Sequence, residues 1–581
     1  MASSIPFQDL NLPPYPTSPS SLTQSPIIVP NMEPNLETFH EEMPLIIPDP
    51  QFSRNIDSAP LAQEPNQDRR VFDRRSSQLV RMNNLTLEEQ RVLREDVRRT
   101  KMLFDSLRIS VSSEQDELFR EGNEEGRSRI RGDLKAYSTM KNKGLWLNRD
   151  KRVVGSIPGI EIGDVFLSRI ELQVLGLHGQ IQAGIDFVPA NQSTDGEPVA
   201  TSIVVNEGFK DDQDLGKEII YCGQGNQISN QRMEGGNLAL QTSYDREVEI
   251  RVIRGFKYEG SETAKIYVYD GLYIITEIWL DIGRSGYQVY KFQLERVENQ
   301  ARTGTRAFRF TEDVKNAPQS ILSPDISMGK ERLFPISLFN DVDNDCGPMH
   351  YKYISTTIFP STVNLFLDED FGCGCVDGCF DNCSCCWNNG GNFPYDFRGV
   401  LIRGKPVIYE CGQGCMCPPT CRNRASQNGL TKQFQVFKSG DTDSWGVRSL
   451  DLIKSGHFVC EFAGEVVTRA QAREMSINRD LLIDGKLFGD KWKEWGDLSR
   501  AVDDYVIPTY PPSQPLDFMI DLSKFRNLAS YMRHENNELV ANVMVQKVLY
   551  SHHNIFYPHL MLFALENIPP CRELILDYKD V

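Results

Sequence analysis

Hydrophobic and polar positions divide the chain into stretches of different period. Residues 1–68 have no period, and thirteen of the 32 prolines fall there among Ser, Asn and Gln. Such a composition buries too little apolar surface to offset the entropy of ordering, so residues 1–75 are expected to form a disordered tail. Near Thr86 the pattern turns helical. Thr86 and Glu89 have capping-box spacing, and Leu93, Val97, Phe104 and Leu107 share one face of a helix predicted to run to about Arg108. The other face carries Arg91, Arg94, Arg98, Arg99 and Lys101, and is expected to be solvated, with phosphate contact as the alternative. Residues 111–145 read as a charged, partly helical connector. From Val153 to about Val297 the chain is rich in β-branched and aromatic runs: "DVFLSRIELQVLG", "TSIVVNEG", "EIIYCG", "EVEIRVIRG", "KIYVYDGLYIITEIWLDIG" and "QVYKFQLERV". Split by Gly-rich turns, these predict one barrel or curled sheet. Residues 301–325 read as a linker, and a mixed segment runs from Phe434 to Val581.

A length of 581 residues allows three or four such modules. No stretch approaches the roughly 20 apolar residues of a membrane helix, so no membrane partner is expected. The N-terminus lacks the basic and apolar regions of a secretory signal, which points to a reducing intracellular compartment. The net charge of −17 argues against a general nucleic-acid coat. The charge is unevenly spread, however: residues 1–68 hold nine acids and one Arg, residues 69–108 eleven Lys and Arg and six acids. Arg69-Arg70 and Arg74-Arg75 form a weak import signal.

Ten of the fourteen cysteines lie within residues 373–421. Cys373, Cys375, Cys379, Cys383 and Cys385 form one run, and Cys411, Cys415, Cys417 and Cys421 a second. Cys-x-Cys pairs aim thiolates at a common point, and thiolate suits tetrahedral Zn²⁺. Nine thiolates serve three ions if three of them bridge, since six terminal and six bridging contacts give twelve. Cys386 is then a spare. A disulfide knot is the alternative. A closed thiolate site leaves no position for substrate, so its role is structural. Cys222, Cys346, Cys460 and Cys571 are expected to be buried structural thiols. Trp492 and Trp495 are expected to pack a small helix.

The nine-cysteine run lies directly before "SWGVRSL" and "EFAGEVV". This order resembles the plant suppressor-of-variegation homologue (SUVH) family of lysine methyltransferases, from about residue 76 to the end. The resemblance implies an α+β multidomain chain. It has a tail (1–75), a helical segment (76–145), a β-rich SRA domain (146–300), a linker (301–345), a zinc-cluster pre-SET region (346–430) and a β-rich SET domain (431–581).

The resemblance also implies site residues. The S-adenosylmethionine turn falls on Trp445, Gly446 and Val447, and the Asn-His-Ser-Cys element on Arg533, His534, Glu535 and Asn536, where only His534 matches. An Arg533 facing the cofactor's positive sulfonium would repel it in a poorly solvated cleft. The catalytic Tyr falls on Tyr578, and the aromatic beside the lysine channel on Leu576. The cysteines of a post-SET region, which would close that channel, do not appear before Val581. In the SRA region the pocket for a flipped methylated cytosine falls on Phe209, Asp212 and Tyr221. The two rings would sandwich the base, and the carboxylate would accept from its exocyclic amine. Gln182 falls where the family fills the gap left in the duplex. Arg232, Arg251, Arg254 and Lys257 are candidate contacts to the DNA backbone. Residues 153–300 hold 22 acids against 12 Lys and Arg, so binding is expected to be modest and salt-dependent.

The reading that follows is a nuclear chromatin adapter: the SRA domain reads methylated DNA, zinc staples the pre-SET core, and an inactive SET domain serves as a scaffold. The resemblance implies recruitment of silencing machinery, including that of RNA-directed DNA methylation. Two alternatives remain open. One is an active histone H3 lysine 9 methyltransferase using S-adenosylmethionine. The other is a protein scaffold with both sites decayed.

Overall fold

The structure is a computed structural model. It describes residues 79–578 apart from 81, 83–84, 121–130, 149–151, 194, 207–212, 226–227, 260, 262, 309–310, 312–319, 349–350, 362–371, 381, 441–443, 476–478, 511–514 and 535–539, and only the backbone of 79–80, 115–120 and 152. The tail and the expectations that fall on it lie outside the described residues. Among the described residues no helix is long and apolar enough to cross a membrane.

Helix α1 (Leu87–Arg120) starts where its capping box predicts. The Thr86 N–H donates to the Glu89 carboxylate at 2.8 Å, and the Glu89 N–H donates to the Thr86 hydroxyl at 3.3 Å. At 34 residues it runs well past Arg108 and spans about 50 Å. It is followed by α2 (Gly132–Asn142). Val97, Phe104 and Leu107 are buried as expected. The basic face divides: Arg99 is exposed as expected and Arg91 half-buried, but the other three turn inward, because α1 is a strut threaded between the strand-rich module and the C-terminal module. Arg94, Arg98 and Lys101 are 7%, 1% and 2% exposed, so neither solvent nor a phosphate can reach them freely.

The strand-rich module is an eight-stranded sheet. Its order is Ile185–Val188, Val199–Asn206, Ile250–Lys257, Lys265–Ile282, Gln288–Arg296, Glu218–Cys222 and Gln213–Asp214, with Val165–Phe166 paired to the long Lys265–Ile282 strand. Five of the six quoted runs are strands over most of their length. The first is not: after Val165–Phe166 the sequence "SRIELQVLG" forms α3 (Arg169–Leu175). The Ser168 hydroxyl accepts the Glu171 N–H, and Gly176 closes the helix in the left-handed conformation. A cap at one end and a glycine at the other outweigh the β-branched content. Helix α4 (Gly236–Asp245), which the strand pattern did not predict, packs on the same sheet.

In the C-terminal module, Phe434–Lys438 pairs with Trp445–Ser449. It also pairs with Ser337–Phe339, from the stretch read as linker. A second sheet runs Phe458–Glu461, His559–Ala564, Val543–Leu549, Ile575–Leu576 and Arg533–His534. Ile408–Tyr409 of the cysteine module adds to Val543–Leu549 in parallel, which fixes that module to the C-terminal sheet. Trp492 and Trp495 reinforce the join. Trp492 lies in a short 3-10 helix, Lys491–Lys493, and both indoles are buried with Tyr395, Leu401 and Met544; the Trp495 indole donates to the Leu401 carbonyl at 2.7 Å, so they also fasten two modules.

Buried ion pairs hold α1 in place. Arg94 donates to Asp164 at 2.6 Å and to Glu566 at 2.9 Å, and Arg572 closes on Asp164 at 2.5 Å. Asp164 belongs to the strand-rich module, while Glu566 and Arg572 lie about 400 residues later in the C-terminal one. One turn on, Arg98 pairs with Glu95 at 2.7 Å and Glu494 at 3.2 Å, and Lys491 returns to Glu95 at 3.0 Å. Two arginines on Asp164 hold its carboxyl far below the usual range despite its burial. Gly159, at positive φ, lets the strand-rich module lie directly on the helix: a β-carbon there would come within 2.3 Å of the Leu93 carbonyl.

Removing one member of a buried, paired network leaves its partners uncompensated. Arg94→Ala is therefore expected to cost about 3–5 kcal/mol, read by calorimetric unfolding, whereas the more exposed Arg91→Ala should cost under about 1 kcal/mol. A second expectation concerns pH. Burial, with Asp105 nearby, pushes the Glu171 carboxyl up to about 8. The folded state then holds a proton that the unfolded state has lost between the ordinary glutamate range and pH 8. Stability falls as pH rises through that window. Glu171→Gln should flatten the decline of melting temperature between pH 5 and 8; an unchanged slope would refute the assignment.

Candidate functional site

The cysteine module brings its thiols to three overlapping points. Cys373, Cys379, Cys411 and Cys417 have their sulfurs within 4.8 Å of one another, as do Cys373, Cys385, Cys411 and Cys415, and likewise Cys375, Cys379 and Cys383. Three residues recur: Cys373, Cys379 and Cys411 each belong to two groups. Cys421 lies beside them and accepts the Cys379 N–H at 3.4 Å. The Cys373–Cys379 and Cys379–Cys411 sulfur separations are 3.4 and 3.3 Å, and Cys385–Cys415 is 3.6 Å. A disulfide requires about 2.05 Å. Four thiolates about 2.3 Å from a tetrahedral Zn²⁺ stand about 3.8 Å apart, so the array suits metal.

Backbone shape makes this convergence possible. Gly372 packs on Gly414 so closely that a β-carbon would sit 1.6 Å from the Gly414 carbonyl oxygen, and the two flanking cysteines thereby meet. Asn423 donates its side-chain N–H to the Cys411 sulfur at 3.3 Å and its backbone N–H to Cys421 at 3.4 Å, which favours thiolate at both. Cys386 is buried but belongs to none of the three groups. Of the four isolated cysteines, Cys460 is buried, Cys222 and Cys571 are half-buried, and Cys346 is exposed, contrary to expectation.

In the strand-rich module two of the four expected DNA-contacting residues are described, and they lie together. Gln182 is exposed on a loop whose successive carbonyls, Ile181, Gln182 and Ala183, all accept from one nitrogen of Arg169 at 3.3, 2.6 and 2.9 Å. His178 also holds the Ala183 carbonyl, at 3.0 Å, and burial lowers its imidazole to about 4. Tyr221 is buried on Glu218–Cys222, and its hydroxyl closes on Gly184 so that a β-carbon there would lie 2.4 Å away. Phe209 and Asp212 lie outside the described residues. Immediately after them, Asp214 is gripped by Arg254 at 2.6 and 2.8 Å, and Arg254 also meets Asp270 and the Gly216 carbonyl. Arg254 is thus an internal clamp and not a phosphate contact. Arg251 is likewise internal, donating to the carbonyls of Val153, Gly155 and Leu177. Arg232 and Lys257 remain exposed.

The third constellation lies in the C-terminal module. Trp445, Gly446 and Val447 form an edge strand, and the Leu574 N–H donates to the Val447 carbonyl at 2.8 Å. Glu573 lies against Gly446: a β-carbon there would meet its carboxylate at 2.5 Å. Arg533 donates to that carboxylate at 3.3 Å. Arg533 is therefore paired and does not face the cleft as a lone charge, which removes much of the repulsion expected of it. His534 stacks on Tyr578 with centroids 4.9 Å apart, and Phe488 and Tyr578 meet edge to face at 5.4 Å. Burial raises the Tyr578 phenol above its ordinary value. Leu576 is core. The five expected residues Trp445, Gly446, Val447, His534 and Tyr578 thus line one neighbourhood, bridged by a Glu573–Arg533 pair that sequence spacing did not reveal.

Comparison with known proteins assigns all three modules. The SAD/SRA domain family matches residues 153–300, the Pre-SET motif residues 327–424 and the SET domain residues 444–579. The histone-lysine N-methyltransferase family member SUVH9 of Arabidopsis thaliana is 46% identical over 520 residues, covering 87% of this chain and 79% of that protein. A crystal structure of SUVH9 aligns with TM-score 0.74 at 45% identity, covering 85% of this chain and all of that one. A crystal structure of KRYPTONITE with mCHH DNA, an H3(1–15) peptide and SAH aligns with TM-score 0.65 at 31% identity, covering 84% of this chain and 94% of that one. The chain belongs to the plant SUVH family.

Thiolate loading can be tested directly. Cys379→Ser, which removes a sulfur shared by two groups, should lower the zinc content of the purified chain and its melting temperature. Cys386→Ser should leave bound zinc unchanged. Equal zinc in both variants would contradict the grouping.

Proposed function

We propose that this protein is a nuclear chromatin adapter that reads methylated DNA through its SRA domain and uses its SET domain as a scaffold without methyl transfer. The observation that carries the reading half is the pinned Gln182 loop beside Tyr221. Arg169 and His178 fix the loop that would enter the duplex, and Arg254 anchors the chain just after Phe209 and Asp212, next to the ring that would hold the extruded base. A preorganised pocket lowers the cost of holding an unstacked base. The acidic balance of the domain makes affinity modest and salt-sensitive.

For the SET half, the Glu573 carboxylate, paired with Arg533, lies against Gly446 of the turn on which the family's cofactor contact falls. The Tyr578 ring is in contact with both His534 and Phe488. These contacts support a packed cleft. The cysteine module holds three Zn²⁺ ions, with Cys373, Cys379 and Cys411 as bridges and Cys375, Cys383, Cys385, Cys415, Cys417 and Cys421 as terminal ligands. Its role is to brace the SET sheet through Ile408–Tyr409. Silencing-machinery proteins are the expected partners.

An active histone H3 methyltransferase is the second reading, favoured by the shared neighbourhood of Trp445, His534 and Tyr578. One experiment separates the two. The full chain is given labelled S-adenosylmethionine and H3, beside an active family member, and is titrated in parallel with methylated and unmethylated duplexes. The adapter reading expects no label above background. It also expects a preference for methylated DNA that falls at least tenfold in Asp212→Ala. Label that disappears in Tyr578→Phe would establish the enzyme. A duplex affinity indifferent to methylation would leave only a protein scaffold.

A further inference from the structure

A groove of about 1090 Å³ opens between α1, the cysteine module and the insert of the SET domain. It shares no lining residue with the Gln182–Tyr221 region or with the Trp445–Tyr578 cleft. An inference drawn from it therefore stands or falls independently of the function proposed above.

Its charge is opposite to that of the protein. The lining holds Arg403, Lys405, Arg422 and Lys547 against one carboxylate, Glu114, while the whole chain carries 63 Lys and Arg against 80 Asp and Glu. Two of these cations hydrogen-bond to carbonyls and have no carboxylate within ion-pair distance among the described residues. Arg403 donates to the Gly496 carbonyl at 3.1 Å. The Lys405 ammonium, 5% exposed, donates to the carbonyls of Asn389 and Asn392. A buried or half-buried cation with no carboxylate beside it retains a field that an anion can satisfy.

The aromatic lining decides which anion. Arg422 already covers Phe393 at 4.0 Å, and Arg403 covers Tyr505 at 5.2 Å. Neither of those two ring faces is an open platform for a nucleobase, and single-stranded nucleic acid stacks successive bases on several such rings. At the rim, by contrast, Trp387 is 71% and Val506 82% exposed, and with Ile555 they offer apolar surface to a side chain. Exposed aromatic and aliphatic anchors around a cationic floor fit a peptide.

We propose that this groove docks an acidic peptide segment of a partner protein, with Arg403 and Lys405 opposite its carboxylates and Trp387 and Val506 receiving an aliphatic or aromatic anchor. The test is a random dodecapeptide phage library panned on the immobilised full chain. Trp387→Ala, Val506→Asp and Arg403→Glu serve as comparison surfaces. The first two alter exposed side chains, and melting temperature verifies that each variant folds. Expected are enriched peptides of net negative charge with apolar anchors, binding at least tenfold more weakly to Val506→Asp and Arg403→Glu and more weakly at high salt. Neutral or basic winners, unchanged affinity for the folded variants, or no enrichment would overturn the proposal. Displacement of the winners by a dT12 oligonucleotide at lower concentration than by an acidic peptide would also overturn it, in favour of nucleic acid.

Discussion

The arrangement of this protein depends on one buried carboxylate shared by two arginines. Asp164 of the SRA domain sits between Arg94 of α1 and Arg572 near the end of the SET domain, and Glu566 binds Arg94 from the SET side. Such a network contributes little net free energy, because desolvating its charges offsets much of their attraction. Its consequence is specificity. A displaced helix would strand several charges away from water, so α1 has one seat between the modules. The apolar contacts then follow. Val97 packs into the SRA domain, Met102 and Ile109 into the Tyr395–Trp495 cluster, and Phe104 and Leu107 against α2 and α3.

The cysteine module is a second fixed point, of a different kind. Its sulfurs converge because two glycines allow two loops to touch, and because neighbouring N–H groups favour thiolate. It connects to the SET domain through backbone pairing and through Trp495. The cysteine module is thereby joined to the sheet that carries His534. The SET cleft brings Trp445, Gly446, His534 and Tyr578 into one neighbourhood, with the Glu573 carboxylate against Gly446. Strand register depends on the apolar face and not on the cavity, so it does not by itself report on the cleft.

Much of this was legible in the sequence where the physics is local. Cysteine spacing specifies thiolate convergence, because ligand type and short loop length determine what a metal can collect. The capping box fixed the start of α1, and alternating β-branched runs located most SRA strands. The sequence misled where one residue type can serve two purposes. "SRIELQVLG" has strand-like content, but Ser168 and Gly176 close it as a helix. Arg251 and Arg254 look like phosphate ligands, but they bind internal carbonyls and carboxylates.

By itself, then, the sequence determined the order of modules, a thiol cluster suited to metal and the position of the residues that resemble family sites. Only the tertiary structure decided which charges are free. Arg94 meets Glu566, Arg533 meets Glu573, and Arg403 meets no carboxylate among the described residues. A side chain's charge is a local property. Its partner is chosen by segments that may lie hundreds of residues away, and no local pattern encodes that choice.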